Sequence, residues 1–278
     1  KQTIKSVQLF GDGSAKSYTN DFKPSHAILN YPSAYIYVNG KRLMMLIDTG
    51  SAVSSLNASA AKIAGVSRLE VSGLSSTSIT GIKIPTKLGF VQTLSFAGLT
   101  IRDASIHVSK DDSNAAEDGI LGLDVLQKFP SLTFTKEKLF FGKPPEADCK
   151  NRFTVSSNIF GDIIGLKAGG TLYNGQPAVA ILDTGNATAK ISPTWWAVKH
   201  FRIPVLGIKR GYAADSSGLH PIDQGEIEGR LEFLGKEYSG PMTVEANYQF
   251  GAVDFNIGMP FFYRSEERRV GKECRSRW

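Results

Sequence analysis

Apolar residues in this chain recur mostly at every second position, in short runs separated by Gly, Ser and Asn. That is the period of half-buried β-strands rather than of helices. Leu94-Ser95-Phe96-Ala97-Gly98 and Leu231-Glu232-Phe233-Leu234-Gly235 read as alternating strands that end at a Gly turn. Leu132-Thr133-Phe134-Thr135 and Lys138-Leu139-Phe140-Phe141-Gly142 read as a strand pair. Helices are predicted over Ser59 to Ala64 and Pro193 to His200, with short helix-like apolar segments at Val125 to Phe129 and Phe261 to Tyr263. The pattern predicts a mainly β fold.

The same succession of elements occurs twice, at a spacing too long for a solenoid. Tyr37-Val38-Asn39-Gly40 leads through an apolar run to Leu46-Ile47-Asp48-Thr49-Gly50, and Leu172-Tyr173-Asn174-Gly175 leads likewise to Ile181-Leu182-Asp183-Thr184-Gly185. In both copies the Asn lies nine residues before the Asp. Asn-Gly between β-rich runs is a strong hairpin signal, so each Asp-Thr-Gly is expected to follow the second strand of a hairpin. Downstream, Gly119-Ile120-Leu121-Gly122 answers Phe255-Asn256-Ile257-Gly258, with Gly122 lying 74 residues after Asp48 and Gly258 lying 75 after Asp183. The organisation read from this repeat is a first lobe over residues 1–142, a linker over 143–150 that contains Pro144-Pro145, and a second lobe over 151–263.

Composition changes little in that picture. With 278 residues, 41% hydrophobic and 21% charged, the chain can bury a sizeable core. Its apolar stretches, such as Leu43 to Ile47, are too short to span a bilayer. The net charge of +6 raises nucleic acid as a partner. However, residues 264–278 hold six basic and three acidic residues, half of that net charge, and the remainder implies no polyanion. This tail has neither strand nor helix periodicity and resembles the in-frame translation of a common sequencing adapter. It is expected to be non-native, with the second lobe truncated near Tyr263. It also holds Cys274, which leaves Cys149 alone in the body and no intrachain disulfide expected there. The start at Lys1 says nothing of an upstream signal or pro-segment.

A single Asp-Thr-Gly reads as an ordinary turn. Two copies by chance in one chain would be on the order of one case in a thousand at average residue usage, and the shared approach strand and downstream Gly make coincidence rarer still. From about Tyr35 to Phe262 the chain resembles the pepsin and retropepsin-like aspartic proteases, in which each lobe supplies an apolar-apolar-Asp-Thr-Gly loop and threads an apolar-apolar-Gly segment past it. The resemblance implies two related six-stranded-barrel-like lobes with a short helix in each. It also implies an aspartic endopeptidase with Asp48 and Asp183 as the catalytic pair.

Two carboxylates held close together cannot both ionise, so one serves as base and the other as acid around a water. That chemistry needs no metal or cofactor. Gly50 and Gly185 permit close backbone approach and offer N–H groups to the carboxylates. By resemblance, the Thr49 and Thr184 hydroxyls lock the loops together, Ser51 places a hydroxyl beside the pair, and Asn186 stands where the family usually has Ser, Thr or Ala. Ile79, Thr80 and Gly81, within Ser78 to Lys83, form a candidate flap that lacks the Tyr of pepsin flaps. Asp215-Ser216-Ser217-Gly218 is a candidate second flap, and Ile120 a candidate substrate contact. The expected partner is a peptide or protein substrate bound to a monomer in an exported, periplasmic or extracellular setting. The expected pH optimum lies at roughly 4 to 6. The rival readings are a catalytically silent peptide-binding relative and a glycosidase with paired acids. The Asp-Thr-Gly loops lack the aromatic platforms of sugar sites.

Other signals are weaker. Asn57-Ala58-Ser59 and Asn186-Ala187-Thr188 match glycosylation acceptors but follow loops that the fold would bury. His26, His107, His200 and His220 show no ligand spacing. Trp195-Trp196 is expected to cover the core, and Gly11-Asp12-Gly13 reads as a turn.

Overall fold

The computed structural model describes residues 6–8, 18–21, 23–25, 31–71, 73–77, 83–109, 117–129, 132–135, 138–141, 153–157, 163–186, 190–215, 218–233, 235–244 and 253–263. The expected linker, the tail, both cysteines and Gly11-Asp12-Gly13 lie outside them.

The fold is mainly β. Among the described residues, strands of the first half form a four-stranded and a nine-stranded sheet, those of the second half form two five-stranded sheets, and no strand pair joins the halves. The predicted pair appears as Leu132–Thr135 and Lys138–Phe141, flanked by Ser6–Gln8 and Tyr18–Asp21. The helices are short: Ala58–Ile63, Leu123–Leu126, Trp195–His200 and Met259–Tyr263. None is long and apolar enough to cross a membrane.

Both Asn-Gly pairs make the expected two-residue turns. Asn39 and Gly40 have φ of 49° and 75°, and Asn174 and Gly175 have 48° and 79°, the left-handed values that such a hairpin requires at both central positions. Each turn Asn also clamps a long strand of its own half. Asn39 Oδ1 accepts from the Thr93 N–H at 3.1 Å, and Asn174 Oδ1 accepts from the Arg230 N–H at 2.8 Å. The repeat in sequence is thus a repeat in hydrogen bonding.

The approach to the two Asp-Thr-Gly loops differs between halves. Lys41–Ile47 runs unbroken into Asp48, with Leu43, Met45 and Ile47 buried on one face. In the second half the hairpin strand stops at Gln176–Pro177, and a separate strand, Ala180–Asp183, continues in the other sheet. The expectation of one continuous strand fails at Pro177, which has no N–H to extend a ladder. The Ala178 N–H then turns to Thr171 O at 3.0 Å and the Val179 N–H to Asp254 Oδ2 at 2.8 Å.

Each lobe packs a helix behind its loop. Asn57 caps Ala58–Ile63 by accepting from the Ala60 N–H at 2.7 Å, and Thr194 caps Trp195–His200 by accepting from the Ala197 N–H at 3.1 Å. The Asn57 side chain, part of a glycosylation-like triplet, is therefore engaged in a cap. Trp195 packs against the core as expected, whereas Trp196 is exposed.

Candidate active site

Each Asp-Thr-Gly loop leaves the end of a strand that is held from the side by a glycine-ended strand. Gly119–Leu121 runs parallel to Lys41–Ile47, with Leu121 opposite Ile47, and the Asp48 N–H donates to Leu121 O at 3.0 Å. Phe255–Gly258 runs parallel to Ala180–Asp183, with Ile257 opposite Leu182 and Gly258 opposite Asp183. A third strand closes each set antiparallel, Ser55–Leu56 in one lobe and Ile191–Pro193 in the other. Backbone bonds then fix the loops onto the following helices. The Leu123 N–H donates to Ser51 O at 2.9 Å and, at the equivalent place, the Met259 N–H donates to Asn186 O at 2.9 Å.

The two loops meet. Thr49 and Thr184 are fully buried. The Thr49 N–H donates to Thr184 Oγ1 at 3.0 Å and the Thr184 N–H donates to Thr49 Oγ1 at 3.1 Å. Each hydroxyl then donates across to the other lobe, Thr49 to Leu182 O at 2.9 Å and Thr184 to Ile47 O at 2.6 Å.

This lock sets the carboxylates beside the opposite glycines. A Cβ on Gly50 would overlap the Asp183 carboxyl, and one on Gly185 would come within 2.6 Å of Asp48 Cγ. Only glycine fits at either place. The Gly50 N–H donates to Asp48 Oδ1 at 2.8 Å. Burial, and after it the neighbouring Asp183 charge, push Asp48 well above the usual carboxylate range, while the N–H groups of Gly50 and Gly185 act in the opposite direction. Asp183 is buried. Its Oδ1 accepts from the Asn186 N–H at 3.1 Å and its Oδ2 from Asn256 Nδ2 at 2.7 Å.

Six sequence-predicted residues around the two acids are thus brought together: Thr49, Gly50, Ser51, Thr184, Gly185 and Asn186. The Ser51 N–H donates to Asp48 O at 3.3 Å, and its hydroxyl donates to Val53 O at 2.8 Å. Ile120 sits at the register of Leu46, half-buried. Ile79, Thr80 and Gly81 lie outside the described residues. The segments on either side of them are antiparallel partners, Ser75–Thr77 with Lys83–Phe96. Around the second candidate flap, Leu206–Asp215 pairs with Gly218–Phe233, and Ser216-Ser217 are not described.

Sequence reasoning missed Asn256 as a polar group on the pair, because it was read as one position of an apolar strand. It also missed a second paired acid. Asp118 Oδ2 accepts from the Met44 N–H at 2.8 Å, and Asp254 Oδ2 accepts from the Val179 N–H at 2.8 Å, each tying down the strand that precedes a loop. The signal was available: both acids stand four residues before the strand's glycine, Gly122 or Gly258.

Residues 34–128 match the family described as gag-polyprotein putative aspartyl protease. No curated protein matches the sequence. Among solved structures, the chain is similar to a retropepsin-like aspartic protease from Rickettsia conorii, at 15% identity and a TM-score of 0.34 over 45% of this chain and 90% of that one. It is also similar to the EIAV protease in complex with the inhibitor HBY-793, at 23% identity and a TM-score of 0.30 over 37% of this chain and 91% of that one. The matched family is one of aspartyl proteases. Its match falls in the first lobe, and the second lobe, beyond the matched residues, repeats the loop and the glycine-ended strand.

Proposed function

We propose that this protein is an aspartic endopeptidase in which Asp48 and Asp183 activate a water for attack on a peptide bond. The observation that carries the reading is the mutual seating of the loops, with Gly50 against the Asp183 carboxyl and Gly185 against that of Asp48. Acids from two lobes, placed where one raises the other's affinity for a proton, form a proton-sharing pair. One carboxylate takes a proton from water as its oxygen bonds to the carbonyl carbon, and the other acid gives its proton to the carbonyl oxygen. The resulting tetrahedral diol collapses with proton transfer to the amide nitrogen and rupture of the C–N bond, without a covalent enzyme adduct.

In this reading the substrate lies extended in the cleft, held by strand-like hydrogen bonds and apolar contacts that include Ile120. One chain supplies both acids, so a monomer suffices. The test is cleavage of a mixed peptide library from acidic to neutral pH by wild type and Asp48→Asn, with and without a pepstatin-type inhibitor. Acid-favoured cleavage that is lost in the variant and blocked by the inhibitor is expected. A folded protein that binds peptides and cuts none would instead be a silent binding relative.

A further inference from the structure

The two lobes offer their acids different neighbours at one equivalent position. Ile120 and Asn256 each lie two residues before a strand's glycine, and each is paired in register with the residue two before the acid, Leu46 or Ile181. In the first lobe this position is a hydrocarbon. In the second it is a fully buried amide whose Nδ2 donates to Asp183 Oδ2 at 2.7 Å. The other Asp183 oxygen accepts from the Asn186 N–H.

We propose, resting on the endopeptidase reading, that Asn256 is a positioning residue that keeps Asp183 the ionised member of the pair, so that Asp183 is the base toward water and Asp48 the acid toward the carbonyl oxygen. The physical reason is that a hydrogen bond donated to a carboxylate stabilises its charged form, most strongly where water is excluded. Several elements place groups beside Asp183. The Phe255–Gly258 strand brings the Asn256 amide and the loop brings the Asn186 N–H. The other lobe brings Gly50 and the Asp48 carboxyl, while the Ile163–Ala168 strand places apolar Leu166 opposite Leu182. Asp48 has no amide at the Ile120 position, where the paired strand carries a hydrocarbon, and its Oδ1 accepts from the backbone N–H of Gly50.

The proton cycle then has a direction. Asp183 takes the proton of water while Asp48 gives its proton to the carbonyl oxygen as the C–O bond forms. On collapse, Asp183 passes its proton to the leaving nitrogen and Asp48 recovers one from the diol as the C–N bond breaks, restoring the starting state.

The test separates this assignment from the activity itself. In the Asp48→Asn background Asp183 titrates without its partner, and carbon-13 NMR of labelled aspartate carboxyls follows it in the absence of substrate. Adding Asn256→Leu should raise the Asp183 midpoint by about one pH unit, a tenfold change in proton affinity. In the active background the acidic limb of kcat/KM should move up with it, with kcat falling more than KM changes. An unchanged midpoint in folded protein, or one that moves down, overturns the proposal, since a downward shift means that the amide holds the neutral acid. If Asn256→Leu does not fold, Ile120→Asn decides. Placing an amide beside Asp48 should lower the Asp48 titration, and no change overturns the idea. Should wild type cut no peptide at any pH, the endopeptidase reading fails while the titrations still decide the role of Asn256 in the ionisation of the pair.

Discussion

Thr49 and Thr184 exchange backbone-to-hydroxyl bonds across the lobe boundary, at 3.0 and 3.1 Å, from fully buried positions. Each hydroxyl is both acceptor and donor, so neither can be removed without orphaning two backbone groups. Thr49→Val, which keeps the shape, leaves the Thr184 N–H and Leu182 O without these partners. A loss of about 1–3 kcal/mol for each group is expected, read as a fall in the urea midpoint. A midpoint within error of wild type would mean that water replaces the lock.

Glycine is enforced at two places by the opposing acid rather than by backbone angle. Gly50→Ala and Gly185→Ala each drive a methyl into a carboxyl of the other lobe. Displacements of about an ångström at a reacting group cost on the order of 100-fold in rate. Each variant is therefore expected to lose at least that much kcat/KM while keeping its β-type circular dichroism. Retained activity in either would show that the loops can separate at no cost.

The raised affinity of Asp48 for its proton has a stability consequence with a defined sign. Below its ordinary unfolded value of about 3.9 the acid is neutral in both states. As pH rises from there through the higher native value, the unfolded state ionises first and stability falls. Asp48→Asn removes the titration. The melting-temperature advantage of the variant over wild type should therefore grow between mildly acidic and neutral pH. A difference that is constant with pH would contradict this.

The second acid pair predicts an unequal response. Asp254 is buried, holds the Val179 N–H and pairs with His200 Nδ1 at 2.9 Å, whereas Asp118 is half-buried. Asp254→Ala should cost about 1–3 kcal/mol by removing a buried acid that holds both the Val179 N–H and the His200 ring, and Asp118→Ala less, because Asp118 is half-buried and holds the Met44 N–H. Equal losses in chemical denaturation would disprove the distinction.

Much of this was legible in the sequence because it rests on local chemistry. An Asn-Gly pair dictates its own turn, and a repeated Asp-Thr-Gly with a repeated downstream glycine declares that two loops share one design. What escaped depends on partners far along the chain. Nothing adjacent to Pro177 says that the strand will resume in a different sheet, since that follows from which neighbours Ala180–Asp183 finds. The bond of the Ser51 hydroxyl to Val53 O depends on the local path of the loop, which residue types alone do not give. Asn256 lay hidden for the opposite reason: in an alternating apolar segment a lone amide looks like noise until a carboxylate 73 residues away is placed against it.

The covalent joining of the two lobes gives Asn256 and Ile120 a meaning that two identical subunits could not supply. In an assembly with exact two-fold symmetry every substitution arrives twice, so the halves of a shared site remain equal and a proton between them has no preferred owner. A duplicated chain is free to drift at one copy alone. The difference between an amide and a hydrocarbon at matching positions makes the surroundings of the two acids unlike, so that on the proposed endopeptidase reading a peptide laid across them in one direction is not equivalent to the same peptide laid in the other.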